Sequence, residues 1–214
     1  MEHNAAPPPE QSVDMVTGGY LVLVDISGST GFLAGNELVH AAKAICQLLR
    51  ATLNANATTL QASKLEGDAI FLYGTEALGL SLNDLLAQVS AFQTAFCRER
   101  DYLERTLDCP CRACRSVGSL VIKVVVHIGD FLMEPIGPFC ELVGLDVVVA
   151  HRLLKNHLSE HEYLLITKSA LDALGPGDGT PVLTAATEYY PDVGTVEFSY
   201  CLLSALEDPA KPGN

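Results

Sequence analysis

Leu21-Val22-Leu23-Val24-Asp25-Ile26-Ser27-Gly28-Ser29-Thr30-Gly31-Phe32 constrains this chain more than any other stretch. A short apolar run ends on a carboxylate, small residues follow, and a helical pattern begins. That order predicts a βα unit with an acid at the carboxyl end of its strand. In open α/β sheets, ligands bind at that end. The small residues of the turn let backbone N–H groups face outward at a helix N-terminus, where anions are held. An acid able to hold a metal, beside amides able to hold phosphate, suggests a metal–nucleotide site. The plainer reading is a capped βα turn with a solvated Asp25.

The rest of the chain narrows the class. One domain is the default for 214 residues, and 49% hydrophobic residues supply a sizeable core. No apolar run approaches the ~20 residues a membrane span needs. The start, Met1-Glu2-His3-Asn4, lacks the basic and apolar regions of a signal peptide. A soluble, cytoplasmic protein is expected. Thirteen basic against 26 acidic residues give a net charge of −13, which argues against nucleic acid as a partner. Seven cysteines, an odd number, point to a reducing compartment rather than a disulfide scaffold.

Residues 1–17 read as a disordered lead-in, 18–204 as the domain with a Cys-rich insertion at 108–115, and 205–214 as a polar tail. A strand is predicted over Tyr20 to Asp25 and a helix over Phe32 to Leu53. Strands at Thr58–Lys64 and Asp68–Tyr73 are joined by a turn at Leu65-Glu66-Gly67. Ser81 with Asp84 opens a long helix whose buried stripe is Leu82, Leu85, Leu86, Val89, Phe92 and Phe96. Leu120 to His127 is an apolar strand ending at Gly129-Asp130, followed by a hairpin-like passage from Met133 to Val143. A helix spans Asp146 to about Leu158. Tyr163–Thr167 is a strand and Ser169–Leu174 a short helix. In the last strand Val196, Phe198, Tyr200 and Leu202 share one buried face. Strands outnumber a plain βα alternation, so the fold class is α+β, with a mostly antiparallel sheet and helices packed on it.

Lys64-Leu65-Glu66-Gly67-Asp68 supplies a second acid, and two aspartates from adjacent strands suit Mg²⁺. Asp25-Ile26-Ser27-Gly28-Ser29-Thr30 resembles the first metal motif of class III nucleotidyl cyclases, and Lys64-x-x-Gly67-Asp68 resembles their second. Val126-His127-Ile128-Gly129-Asp130 is similar to the family's strand end I-H-x-G-E. Gly144-x-x-Val147-Val148-Val149-Ala150-His151-Arg152-Leu153 resembles the helix motif G-x-x-V-N-x-A-x-R-L. The four stand in family order between Tyr20 and Leu203.

The resemblance implies a ferredoxin-like cyclase fold and a reaction that makes a 3′,5′-cyclic nucleotide and pyrophosphate from a nucleoside triphosphate. It implies two Mg²⁺ or Mn²⁺ held by Asp25, Asp68 and the backbone carbonyl of Ile26. Backbone amides of Ser27, Gly28, Ser29 and Thr30 would face the β- and γ-phosphates. Lys64 and Glu141 match the base-reading pair, which favours ATP over GTP. Arg152 matches the arginine that stabilises charge on the α-phosphate. The family divides each site between two subunits, so a homodimer is implied. The family's ribose-orienting asparagine falls at Val148, which cannot make that hydrogen bond. The alternative is therefore a weak or inactive cyclase-like module that binds nucleotide or metal, or only dimerises.

Cys109, Cys111 and Cys114 give C-x-C-x-x-C, a pattern the resemblance does not account for. Three readings stay open: a structural Zn²⁺ completed by Cys97 or a distant histidine, a redox switch, or reduced, part-buried thiols.

Overall fold

The computed structural model describes residues 16–58, 60–107, 109–137, 139–177 and 180–206. Of the lead-in expected over 1–17, residues 1–15 lie outside the described residues and Thr17 already opens the first strand. Of the tail expected over 205–214, residues 207–214 lie outside them and 205–206 belong to a 3₁₀ turn over Leu203–Leu206. The strands are β1 (Thr17–Ser27), β2 (Gln61–Glu66), β3 (Ala69–Thr75), β4 (Val121–Ile136), β5 (Phe139–Val143), β6 (Tyr163–Thr167), β7 (Thr184–Tyr190) and β8 (Gly194–Leu202). The helices are α1 (Ser29–Ala34), α2 (Leu38–Asn54), α3 (Leu82–Thr106), α4 (Arg112–Ser116), α5 (Leu145–Leu153) and α6 (Lys168–Leu174). No described helix is long and apolar enough to cross a membrane.

The sheet runs β2-β3-β1-β4-β6-β8-β7, with β5 folded back on the end of β4. Among the described residues, only the β4–β6 pairing is parallel. This is the α+β, mostly antiparallel arrangement expected. β1 lies between β3 and β4 and is covered on both faces. Val22, Val24 and Ile26 pack into the core that α2 and α3 share. Leu21 and Leu23 pack into the core on the opposite face with Val149 and Leu153 of α5. Two buried faces explain why β1 reads as a continuous apolar run rather than an alternation. α3 starts with the expected reciprocal cap between Ser81 and Asp84, and Leu82, Leu85, Val89, Phe92 and Phe96 are buried.

Several expected boundaries move. The helix expected over Phe32–Leu53 is two helices. The Gly35 N–H donates to the Gly31 carbonyl at 3.0 Å and the Asn36 side chain to the Phe32 carbonyl at 2.6 Å. These bonds satisfy the open end of α1, and the chain restarts at Glu37. β4 does not stop at Gly129-Asp130 but continues to Ile136, because β5 pairs with its far half. α5 ends at Leu153 rather than Leu158, where Asn156 caps the Leu153 carbonyl at 2.7 Å. In β8, Leu202 is 47% exposed while Cys201 is buried, since the two faces of that strand are covered at different places.

β1 and β3 approach closely at Gly19. A Cβ there would lie 2.1 Å from the Gly74 carbonyl oxygen, a backbone atom that cannot swing away. Gly19→Ala should therefore lose about 3 kcal/mol, the upper part of the usual overpacking range, read as a lower urea midpoint with an unchanged slope.

Candidate active site

β1 and β3 bring the two sequence-predicted acids to one end of the sheet. Asp25 pairs with Ala69 in register, and the Ile26 N–H donates to the Asp68 carbonyl at 3.2 Å. Asp25, Ile26, Ser27, Gly28, Ser29, Thr30 and Asp68 line one cavity of about 510 Å³. Gly28 adopts φ 88°, a left-handed conformation that lets the chain leave β1 and enter α1 in one residue. The Ser29 hydroxyl donates to the Asp68 carboxylate.

Lys123 also reaches this cavity. It sits opposite Asp25 on β4, with its Nζ 3.1 Å from Asp25 Oδ2 and 2.9 Å from the Leu154 carbonyl. Asp25 is mostly buried, and burial raises its pKa. The Lys123 ammonium pulls the other way through charge and hydrogen bond, and the Asp68 carboxylate pushes up again; the balance is upward. Two carboxylates and the Ile26 carbonyl form a set of hard oxygen donors, the chemistry Mg²⁺ and Mn²⁺ accept.

The remaining expected residues lie outside this cavity, Lys64 with Glu141 and Arg152 apart from them. Lys64 Nζ lies 2.6 Å from Glu141 Oε2 and 3.1 Å from Glu66 Oε1. The hydrogen bond to Glu141, with Glu66 behind it, raises the Lys64 pKa. Glu66 turns its other oxygen to His151 Nδ1 at 3.3 Å. Burial lowers the pKa of His151, whose ring stands edge-on to Phe71 at 5.0 Å. Lys64, Glu141 and Arg152 are not part of the cavity lining. Arg152 instead meets Asp192 at 3.2 Å on the surface. Val148, one turn earlier on α5, is 44% exposed. Asp146 cannot substitute for a polar group at Val148, because its carboxylate holds His127 Nε2 at 3.0 Å and the Asp130 N–H at 2.8 Å.

Glu66, Lys123, His151, Lys155 and His161 line the cavity and were not anticipated as site residues. For Lys123 a signal exists. It is the one charged residue in Val121-Ile122-Lys123-Val124-Val125-Val126, and a lysine inside a central strand needs a buried partner. In the Cys loop, the sulfurs of Cys109, Cys111 and Cys114 gather around the ring of His40, not Cys97. Cys97 packs against the main core.

Comparison with known proteins agrees with this architecture. The profile of the family described as "Protein of unknown function (DUF2652)" matches residues 45–163, more than half of the chain. An uncharacterized Mycobacterium tuberculosis protein, Rv2561/Rv2562, is 28% identical over 166 residues, covering 77% of this chain and 76% of that one. The adenylyl cyclase CyaB from P. aeruginosa superposes with a TM-score of 0.67 at 15% identity, over 94% of this chain and 100% of that one. The guanylate cyclase domain of RhGC from Catenaria anguillulae, solved with GTP, gives 0.62 at 14% identity, over 87% and 97%. The fold is that of class III cyclase catalytic domains, with a Cys-rich loop added.

Proposed function

The chain belongs to the DUF2652 family, and from its cyclase fold and acid-lined cavity we propose that it is a nucleotidyl cyclase. It would convert ATP to 3′,5′-cyclic AMP and pyrophosphate as a soluble, cytoplasmic homodimer. The observation that carries this reading is the convergence of Asp25 and Asp68 on one cavity beside the Ser27–Thr30 turn.

Asp25, Asp68 and the Ile26 carbonyl would hold two divalent cations, which supply acidity to the ribose 3′-hydroxyl and charge neutralisation to the triphosphate. The amides of Ser27 to Thr30 take the β- and γ-phosphates. Lys64 donates to an adenine ring nitrogen, and Glu141 accepts from the adenine amino group. Their mutual ion pair supports this assignment, because it already aligns a donor and an acceptor side by side. Arg152 stabilises charge on the α-phosphate as the 3′-oxygen bonds to phosphorus and pyrophosphate leaves. Lys64, Glu141 and Arg152 stand outside the cavity of their own chain, which fits sites completed by a second copy. Exposed Ile136, Val143 and Leu145 supply apolar surface for that contact.

A second reading, a module that binds nucleotide without turning it over, is favoured by Val148 and by the Lys123–Asp25 pair. Incubating the protein with ATP, GTP, CTP or UTP and Mn²⁺, then weighing the products, separates the two. Cyclic AMP supports the cyclase, and nucleotide bound without product supports the module. A cyclic pyrimidine nucleotide keeps the cyclase but removes the base-reading roles of Lys64 and Glu141. Lys64→Ala should raise the KM for ATP by about tenfold, as one hydrogen bond to the base is lost. Its stability should change by less than about 1 kcal/mol, because a pair this exposed contributes little.

A further inference from the structure

The imidazole of His40 is the centre of an arrangement that hydrogen bonding does not explain. Its Nδ1 lies 3.2 Å from Cys111 Sγ, 3.5 Å from Cys109 Sγ and 3.7 Å from Cys114 Sγ. The four ligand atoms all fall within 4.8 Å of one another. One ring nitrogen carries either one proton or one lone pair, so it satisfies one sulfur, not three. A central ion satisfies all four atoms. Bonds of about 2.3 Å to sulfur and 2.0–2.1 Å to nitrogen at tetrahedral angles put S and N about 3.6 Å apart. The three distances scatter around that value.

We propose that His40, Cys109, Cys111 and Cys114 bind one Zn²⁺ in a closed Cys₃His site. Soft sulfur with one imidazole, arranged tetrahedrally, selects Zn²⁺ over the hard cations of the Asp25 cavity. Four protein ligands leave no open position, so the site is structural rather than catalytic. Binding requires each of the three thiols to release its proton. His40 lies in the first turn of α2, Cys109 and Cys111 in the connection after α3, and Cys114 on α4. The ion thus ties three separate parts of the chain. α4 has five residues, too few to hold a helix unaided. Arg112 of α4 in turn lies against Gly35 at the end of α1, so the ion fastens the bend that follows the Asp25 turn. The inference does not depend on the nucleotide reading.

The test uses the full chain. Zinc content after gel filtration should be one equivalent. The metal-stripped protein titrated with Co²⁺ should develop the visible bands of tetrahedral cobalt and the near-ultraviolet thiolate charge-transfer band, saturating at one equivalent. His40→Ala should lose the wild-type spectrum, while Cys46→Ser, on an exposed part of α2, should keep it. Less than about 0.1 equivalent of zinc, together with no Co²⁺ spectrum in the parent chain, overturns the site. A His40→Ala protein with the parental spectrum overturns the ligand set. Should that variant fold poorly, the Co²⁺ titration of the parent chain decides alone.

Discussion

Asp25→Asn is expected to abolish cyclic-nucleotide formation, a loss of at least about 10³-fold, while leaving the fold no less stable at neutral pH. The two halves of that result have different causes. Activity falls because amide oxygen replaces a carboxylate in the donor set proposed to hold the cations. Stability holds because the buried carboxylate is a net burden: burial outweighs the help from Lys123, so the folded protein binds the Asp25 proton more tightly than the unfolded chain does. The unfolded chain then carries fewer protons in the window that opens at the ordinary value of 3.8 and closes at the raised folded value. Asp25 therefore subtracts stability as pH rises through that window, and the loss persists above it. The asparagine variant lacks this component, so urea midpoints across a pH series should fall less steeply through the window than in the parent, and the difference should stay constant above it. Parental turnover in the variant would remove Asp25 from the mechanism.

Val148→Asn should raise kcat on the order of 10²-fold, with KM little changed. Val148 occupies the position at which the cyclase motif carries the ribose-orienting asparagine, and it lies four residues before Arg152 on one face of α5. At 44% exposure the site admits a polar side chain at a cost within about 0.5 kcal/mol. A positioned hydrogen bond acts on the reacting geometry, so it appears in kcat rather than in binding. Steady-state kinetics of parent and variant with ATP read the difference. An unchanged kcat would put the ribose somewhere other than beside α5.

What the sequence made legible was local. The βα turn at Asp25 shows because Leu21 to Val24 are buried on both faces and Gly28 supplies the sharp exit. α3 shows because its cap lies within four residues and its apolar stripe repeats at helical spacing. What stayed hidden depends on partners distant in sequence. Gly35 and Asn36 end α1 through side-chain and backbone bonds that a hydrophobic period does not register. Pro135 and Gly137 look like breakers, yet β4 passes Pro135 because β5 arrives to pair with it. The roles of Lys123 and His151 are set by sheet register and by burial under the cavity, and His40 stands 69 residues from Cys109.

The contact between Lys123 and Asp25 has a consequence for the resting protein. The chain carries its own internal counterion, supplied by the neighbouring strand and anchored at its far side by the Leu154 carbonyl. A lone divalent ion entering there competes with a tethered ammonium, whereas a cation escorted by a triphosphate brings new anionic partners for the displaced lysine. Millimolar Mg²⁺ by itself should accordingly leave the melting temperature almost where it was, and Mg²⁺ with a non-cleavable triphosphate analogue should raise it.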